Sequence, residues 1–391
     1  MTKYIWYFRK LTSLILLTFF FISPQKTLAQ INPMPVKVAF IGDSGAASDF
    51  QKVLNLIKQE GAQMVLHQGD FAYDDGQSNW ENMINATLGA NFPYLGSNGN
   101  HDSWSSYAPF FKDRLSTMGM NENAISTSNA SYSVIYKDLK LVFSKENGDA
   151  GFIQSQLTGD NHTWKICSWH KNMNAMQVGG KSDEQGWGDY EECRKAGAII
   201  ATAHEHSYHR TKTLTSTQNQ TVDQTCANPN SVCVSPGRTF VFVSGLGGRS
   251  IRNQDRCLPT GPPYGCKGEW ANIYTSDQNA QYGALFITFN YQNDPVKAHA
   301  YFKNISNQTI DEFDIKAGLG NGGVTVTPYG DTITPGKPGD ADGNGLVDGL
   351  DYVIWLNNYN QQTTGAGRGD FNNSGYVDGL DYVIWLNNYN K

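Results

Sequence analysis

Carboxylate, amide and imidazole side chains recur in short clusters along the first part of this 391-residue chain. Each cluster alone is weak evidence, because an Asp-x-Gly sequence usually forms a turn and a single histidine is usually a structural polar residue. Together, oxygen and imidazole ligands suit hard to borderline divalent or trivalent metal ions rather than soft ones. The ordered set therefore predicts a metal site, and its members are Asp43, Asp70, Asn100, His101, His170, His204 and His206.

The elements that position these residues are predicted from the apolar runs that precede the clusters. Runs at 36–41, 64–66 and 92–95 alternate with amphipathic helices, which is the pattern of parallel strands with crossover connections. The clusters follow the carboxyl ends of these strands, where open α/β sheets collect their ligands. His204 and His206 alternate on a predicted strand and should therefore point the same way. Later alternating runs predict further strands, in two sheets that pack face to face with helices outside.

In this order, the clusters resemble the sequence motifs of calcineurin-like metallophosphoesterases, and the tyrosine of the second motif resembles the purple acid phosphatase branch. The motifs as they stand here are Asp43-Ser44-Gly45, Gly69-Asp70-Phe71-Ala72-Tyr73, Gly99-Asn100-His101-Asp102, His170 and Ala203-His204-Glu205-His206. The resemblance covers about residues 36–315 and implies an α/β fold, a four-layer α-β-β-α sandwich. Ala203 replaces the family's glycine and Asp102 its commoner glutamate, and neither change removes a ligand.

The resemblance also implies a dinuclear metal centre. The ligands of the first metal, which is ferric iron in the family, would be Asp43, Tyr73 and His206. The ligands of the second metal, which is iron, zinc or manganese, would be Asn100, His170 and His204. Asp70 would bridge the two metals, because a carboxylate has two oxygens and a negative charge.

The reaction implied is hydrolysis of phosphomonoesters by attack of a metal-bound hydroxide, with Asp70 and His101 as catalytic residues. His101 would donate a proton to the leaving group or hold the phosphate, and the alternative is a structural histidine beside the ligands. Asp102 would orient His101 or cap the following helix. A phosphodiesterase or nucleotide hydrolase on the same metals remains an alternative. A non-catalytic surface-display protein is another, although retention of all seven ligand positions argues against it.

Composition and charge restrict the class of protein and its location. Hydrophobic residues make up 39% of the chain and charged residues 17%, which is ordinary for a soluble globular protein. No basic stripe of the kind that binds nucleic acid is present. Residues 1–29 combine basic residues, the apolar run 14–22 and small residues at the end, which predicts a signal peptide cut near Ala29. The alternative is an uncleaved anchor, and no later stretch could span a membrane, so we expect a secreted or cell-surface protein.

Six cysteines fit an oxidising compartment. Cys226 with Cys233 and Cys257 with Cys266 are close in sequence, as loop disulfides would be. The remaining two, Cys167 and Cys193, could form a third bridge, or Cys167 could be a free thiol in the core. No Cys-x-x-Cys pair occurs, which argues against a zinc–thiolate site.

The end of the chain has a different organisation from residues 30–318, the predicted catalytic domain. Gly, Pro and Thr dominate residues 319–339 and predict an exposed linker. Within residues 340–391, the segments 347–360 and 377–390 are identical, and each follows acidic residues at alternate positions. This spacing is the EF-hand loop pattern with Asp in place of Glu at position twelve. The predicted Ca²⁺ ligands are Asp340, Asp342, Asn344, Asp348, Asp351, Asp370, Asn372, Ser374, Asp378 and Asp381.

These repeats resemble a type I dockerin, a module that docks enzymes onto cohesin domains in bacteria, and the resemblance therefore implies a bacterial protein. The resemblance implies a small all-α, EF-hand-like module with two Ca²⁺ ions and a cohesin-bearing scaffold or cell surface as its partner. Gly349-Leu350 and Gly379-Leu380 stand where cellulosomal dockerins commonly have a Ser/Thr-bearing pair, so the cohesin could be of another specificity. The aromatic residues of the repeats could serve either the docking interface or the core.

Overall fold

The computed structural model describes residues 33–318 and, towards the end of the chain, residues 337–341, 346–361, 363, 366–372 and 376–390. The predicted signal peptide and residues 319–336 of the predicted linker lie outside the described residues. Among the described helices, none combines the length and apolar composition needed to cross a membrane.

Apolar and β-branched runs form most of the strands of the described region. In chain order they are β1 (Val36–Ile41), β2 (Met64–His67), β3 (Tyr94–Gly96), β4 (Tyr132–Tyr136), β5 (Leu139–Phe143), β6 (Trp164–Ser168), β7 (Ile199–Thr202), β8 (Tyr208–Thr211), β9 (Leu214–Ser216), β10 (Thr221–Val222), β11 (Ser231–Val234), β12 (Val241–Ser244), β13 (Trp270–Tyr274), β14 (Gly283–Phe289), β15 (Lys297–Asn304) and β16 (Thr309–Ala317). The helices are α1 (Ser48–Gln59), α2 (Gln77–Leu88), α3 (Trp104–Thr117), α4 (Ala150–Leu157), α5 (Trp187–Ala196), α6 (Gly349–Asn358) and α7 (Gly379–Asn388).

Two seven-stranded sheets form the centre of the fold. The first has the order β11-β16-β15-β14-β1-β2-β3, and the second has the order β13-β8-β12-β7-β6-β5-β4. As predicted, β1, β2 and β3 are parallel to one another. In the second sheet, β5, β6, β7 and β12 are also parallel. The parallel strands therefore end at a common edge of each sheet, which is where the predicted metal ligands follow.

The two sheets pack face to face. Phe40 of β1 and Phe242 of β12 meet edge to face with ring centroids 5.2 Å apart, and Trp164 of β6 meets Phe289 of β14 at 5.2 Å. Alternate residues of the second sheet, such as Ile200, point to its other face, where they form a separate core cluster with residues of α4 and α5. Helices therefore cover the outer face of this sheet. The prediction of a mixed α/β sandwich is confirmed.

A buried ion pair links the two sheets beside the candidate site. Arg210 of β8 donates to both carboxylate oxygens of Asp311 of β16, at 2.7 and 3.0 Å, and the hydroxyl of Tyr208 donates to the same carboxylate at 2.7 Å. The guanidinium also lies 3.7 Å from the ring centroid of Phe313. Since β8 begins two residues after His206, this pair anchors the segment that carries two of the predicted ligands.

All six cysteines are paired in the structure. The bridges are Cys167–Cys193, Cys226–Cys233 and Cys257–Cys266. Cys167 is therefore not a free thiol, and the first bridge ties β6 to α5 inside the core.

The identical helices α6 and α7 contact each other reciprocally. The indole N–H of Trp355 donates to the carbonyl of Asp378 at 3.0 Å, and that of Trp385 donates to the carbonyl of Asp348 at 2.8 Å. Each helix begins with a capping box formed by two aspartates of its repeat. Of the predicted Ca²⁺ ligands, Asp342, Asn344 and Ser374 lie outside the described residues. The calcium sites and the EF-hand-like character of this segment stay predictions.

Candidate metal centre

The loops after β1 and β2 bring two carboxylates into the space between the sheet edges. Asp43 and Asp70 both adopt left-handed backbone conformations, with φ of 55° and 57°, which turn the chain sharply at the strand ends. A Cβ atom at Gly99 would overlap the Asp70 carboxylate and backbone, so only glycine allows the loop after β3 to approach so closely. The strands thus end where the predicted ligands must meet.

Asp43, Tyr73 and His206 form a first cluster of donor atoms. The hydroxyl of Tyr73 lies 3.1 Å from Asp43 Oδ1 and 3.3 Å from His206 Nε2, and His206 Nε2 lies 3.3 Å from Asp43 Oδ1. Donors that bind one ion at about 2.0–2.2 Å stand roughly 3–3.5 Å apart. The other ring nitrogen of His206 bonds to the hydroxyl of Ser250, which fixes the ring orientation. This cluster has the spacing of a single metal site.

Asp70, His170 and His204 form a second cluster, in which one ligand atom of each residue lies within 4.8 Å of the others. His170 Nδ1–H donates to the carbonyl of Gln68 at 2.7 Å, which leaves Nε2 free to bind a metal. That Nε2 atom lies 3.3 Å from Asp70 Oδ2 and 3.9 Å from Asp43 Oδ1, so the two clusters are adjacent. His204 Nε2 lies 2.9 Å from Glu184 Oε2, an outer carboxylate of the kind that orients metal-binding histidines.

The charges of the two clusters also fit cations. Asp43 and Asp70 are almost completely buried, and within the described ranges neither carboxylate forms an ion pair with Lys or Arg. Burial raises the pKa of each, but the neighbouring histidines outweigh it and hold both pKa values below the ordinary one. Two ionised carboxylates in a buried site require a positive counter-charge. The residue types, spacing and charge therefore fit a pair of metal ions.

The pKa of His170 rises to about 9, because the Asp70 and Asp43 carboxylates outweigh the opposing effect of burial. Burial and the charge of His170 lower the pKa of His204 to about 2. Burial and the two carboxylates raise the pKa of Tyr73, so its phenol keeps its proton unless a strongly acidic cation is next to it. This is the electrostatic basis for the prediction of a trivalent ion beside Tyr73.

His204 and His206 differ from the prediction in their local structure. Strand β7 ends at Thr202, and both histidines lie in the turn that follows, with His204 at a φ of 67°. The backbone N–H of His204 donates to Asp43 Oδ2 at 2.9 Å, which holds the turn against the first cluster. The expectation that alternation on a strand orients them is wrong, although both side chains do face the site.

The segment after β3 places two predicted residues at the solvent side. Asn100 and His101 are exposed. The backbone N–H of His101 donates to Asp70 Oδ1 at 3.0 Å, and its ring centroid lies 4.7 Å from that of Tyr73. The metal-binding role of Asn100 and the catalytic role of His101 stay predictions.

Asp102 joins two loops of the site and does not cap the helix that follows it. One carboxylate oxygen accepts the backbone N–H groups of Gly99 and Asp70, both at 2.8 Å, and the other accepts that of Phe71 at 2.9 Å. Ser103, not Asp102, is the N-cap residue of α3. The expectation that Asp102 caps this helix is therefore wrong, because its oxygens join the loop after β3 to the loop after β2. Burial and the charge of Asp70 raise its pKa to about 7.

An open cleft of about 270 Å³ gives access to both clusters. Its lining consists of Asp70, Tyr73, His101, Lys181, His204, His206, Arg249, Ser250 and Arg252. Four of these were not predicted, namely Lys181, Arg249, Ser250 and Arg252. They belong to irregular loops without a motif, so no local sequence signal identifies them. Three of the four are basic, which makes the mouth of the cleft favourable for anions.

Comparison with known proteins shows a related domain and a related fold. Residues 36–208 match the family described as Calcineurin-like phosphoesterase. Among solved structures, a purple acid phosphatase from yellow lupin (Lupinus luteus) seeds is similar, with a TM-score of 0.53 and 18% sequence identity. The match covers 77% of this chain and 57% of the lupin chain, so it spans little more than half of that protein.

A second similar structure is GAP50, the anchor in the inner membrane complex of Plasmodium, with a TM-score of 0.45 and 11% identity over 73% of this chain and 91% of that one. No curated protein matches the sequence. The family match supports the predicted phosphoesterase domain over residues 36–208, and the lupin likeness supports its fold. The same domain match supports the predicted enzyme class, a hydrolase of phosphate esters.

Proposed function

We propose that the chain is a dinuclear metal-dependent phosphatase of the purple acid type that hydrolyses phosphomonoesters. The observation that carries this proposal is the pair of adjacent donor clusters at the sheet edge, one of which contains the phenol of Tyr73. A tyrosine beside a carboxylate and a histidine, at 3.1–3.3 Å, is the donor set that the purple acid branch would require.

Each cluster would hold one metal, as the motif resemblance implies. Asp43, Tyr73 and His206 would hold ferric iron, and His170 and His204, with Asn100, would hold iron, zinc or manganese. Asp70, a member of the second cluster, would be shared by the two metals. When bound, such a cation pair binds phosphate oxygens and supplies a nucleophile from water near neutral pH.

Side chains of the cleft would orient the substrate and donate a proton to its leaving group. His101 lines the cleft and is exposed, which favours contact with substrate over the alternative of a structural histidine. It would donate the proton to the leaving oxygen. Arg249 lies with its guanidinium 4.6 Å from the Tyr73 ring centroid and would hold a phosphate oxygen on that side.

Metal analysis with visible spectroscopy tests the proposal. The purified protein should contain two transition metals per chain and show a tyrosinate-to-iron(III) absorption band that is lost in Tyr73→Phe. Tyr291→Phe removes a phenol outside the cleft and is the matched control. A colourless, iron-free protein that still hydrolyses phosphate esters would refute the assignment to the purple acid type and leave the phosphoesterase assignment intact.

Asp70→Asn tests the mechanism, because it removes the shared charge with little change in shape. It should abolish hydrolysis, and full activity in this variant would refute the assignment of the metal centre. If the wild-type protein itself hydrolyses neither phosphomonoesters nor phosphodiesters, the alternative of a non-catalytic display protein replaces the proposal.

We also propose that the protein is secreted by a bacterium and attached to a cohesin-bearing scaffold through residues 340–391. The predicted signal peptide and the three disulfides support secretion. The reciprocal helix pair supports the dockerin, since Leu350, Val353, Leu380 and Val383 remain exposed on it and could contact a partner. A Ca²⁺ titration should show two sites, one of which is lost in Asp370→Ala. A chain that binds no Ca²⁺ would refute this assignment.

A further inference from the structure

Two basic side chains of the cleft, Lys181 and Arg252, are not among the predicted metal ligands. The Nζ atom of Lys181 lies 2.9 Å from His204 Nε2, and Lys181 forms no ion pair within 4.0 Å among the described residues. The guanidinium of Arg252 makes no hydrogen bond within the described region, and its nearest carboxylate oxygen, on Glu205, is 3.8 Å away. Their side chains are therefore available to a ligand.

Other arginines of the protein are used differently. Arg256 donates to the carbonyl of Gln177 at 2.7 Å, and Arg194 donates to Glu191 at 2.8 Å and to Gly237 at 2.9 Å. These side chains hold loops and helices in place. Arg252 lacks such contacts although it is only partly exposed, and it lines the same cleft as Lys181. The buried Glu205 carboxylate lies 3.8 Å from Arg252 and offsets part of the like-charge repulsion between the two side chains, and an anion bound in the cleft would offset the rest.

The backbone on both sides of the cleft wall is held firmly. The carbonyl of Lys181 accepts from Gln177 Nε2 at 2.8 Å, and the N–H groups of Asp255 and Arg256 donate to the carbonyl of Val178 at 3.0 and 2.9 Å. The N–H of Arg252 donates to the carbonyl of His206 at 2.9 Å. The loop of Lys181 and the disulfide-closed loop after Arg252 are therefore joined, and the two charged heads project from one scaffold.

Charge counting indicates what this pair of side chains would bind. A trivalent and a divalent ion held by two carboxylates and one phenolate would retain about two positive charges before the nucleophile is counted, and the charge of about −2 on a phosphomonoester would offset them. Lys181 and Arg252 then remain for a second anionic group. The cleft has room for it, since about 270 Å³ corresponds to roughly nine water molecules at ~30 Å³ each.

We propose that Lys181 and Arg252 form a second anion-binding subsite, which binds the unattacked phosphate of a substrate with two phosphates joined by an anhydride, such as a nucleoside diphosphate. This inference rests on the proposed function. Hydrolysis forms a P–O bond between water and the terminal phosphorus and breaks the bridging P–O bond. The departing nucleoside monophosphate takes the electron pair, and the protons of water pass to the products and solvent. The subsite stabilises the charge that develops on the departing phosphate.

The test compares ADP with AMP, which differ by one phosphate, in the metal-loaded full chain. Lys181→Met and Arg252→Gln should each lower the ratio of kcat/KM for ADP to that for AMP by about tenfold, the order expected when one charge-assisted hydrogen bond is lost. Lys195→Met removes an exposed positive charge from α5, outside the cleft, and should leave the ratio unchanged. An equal ratio in all three variants would overturn the subsite.

A binding measurement separates failure of the subsite from failure of the proposed function. Calorimetry with pyrophosphate and with phosphate should show that Arg252→Gln weakens pyrophosphate binding about tenfold more than phosphate binding. If the wild type hydrolyses neither nucleotide but Arg252→Gln still weakens pyrophosphate binding more than phosphate binding, the proposed phosphatase is wrong and the subsite stands. If the variant changes both affinities equally, the subsite is wrong whatever the activity. Thermal unfolding of each variant establishes that it is folded.

Discussion

Asp102→Asn should impair the protein in two measurable ways, because a single carboxylate joins the two loops that carry Asp70 and His101. The carboxylate accepts three backbone N–H groups, two on one oxygen and one on the other. An asparagine has only one acceptor oxygen in that position, and its NH₂ group faces a backbone donor. At least one of the three N–H groups therefore loses its partner.

The magnitude follows from these contacts. A buried donor without a partner costs about 1–3 kcal/mol, so the free energy of unfolding should fall by about that amount. The loop of Asp70 is also released, and displacement of a catalytic group by about 1 Å can lower the rate on the order of 100-fold. We therefore expect a modest loss of stability together with a large loss of kcat/KM.

Asp189→Asn provides the matched control. Asp189 likewise accepts from three donors, namely Ser144 Oγ at 2.6 Å, Gln185 Nε2 at 2.7 Å and the N–H of Asp149 at 3.0 Å, but it does not line the cleft. Urea denaturation and steady-state kinetics on both variants should show similar losses of stability and unequal losses of activity. If Asp102→Asn loses stability but is as active as Asp189→Asn, the Asp102 carboxylate does not position the site and the reasoning fails.

Three further predictions concern metal binding, the sheet interface and the disulfides. The pKa of His170 is raised to about 9, against an ordinary value of 6.5. The His170–Asp70 pair therefore stabilises the metal-free protein fully below pH 6.5, and this contribution disappears as the pH rises through 9. Metal binding at pH 7 should therefore release at least one proton per chain, measured by calorimetry in buffers of different ionisation enthalpy, and no release would contradict the assignment. Asp311→Ala should lower the free energy of unfolding by about 3–5 kcal/mol, because it leaves Arg210 buried without a counter-charge. Glu312→Ala, at an exposed position of the same strand, should have little effect in the same denaturation assay. Replacing Cys167 and Cys193 by alanine should lower the free energy of unfolding by about 3.5 kcal/mol, and replacing Cys226 and Cys233 should lower it by about 2.4 kcal/mol. The first bridge has the larger effect because it closes the longer loop, 26 against 7 residues. Equal shifts in the unfolding midpoint would contradict this order.

The sequence predicted the parallel strands and the ligand clusters because both have local signals. The runs that form β1, β2 and β3 are continuous and apolar, as strands buried on both faces must be. Strand β8 had no such signal, because its four buried residues, Tyr208 to Thr211, include Arg210 and a histidine. A charged residue in a short segment predicts exposure, and only the partner Asp311, 101 residues later in the chain, makes its burial possible.

The basic wall of the cleft was beyond prediction for a related reason. Metal ligands must occupy fixed positions relative to each other, which constrains their spacing within motifs, whereas a group that holds an outer phosphate needs only to reach it from any loop. Lys181 and Arg252 are separated by 71 positions and meet because the loop after Arg252 pairs with the carbonyl of Val178. If these residues select the substrate, then chains with the same metal motifs but different loops here should differ in the phosphates they accept. The motifs would then determine the metals, and the loops between them the substrate.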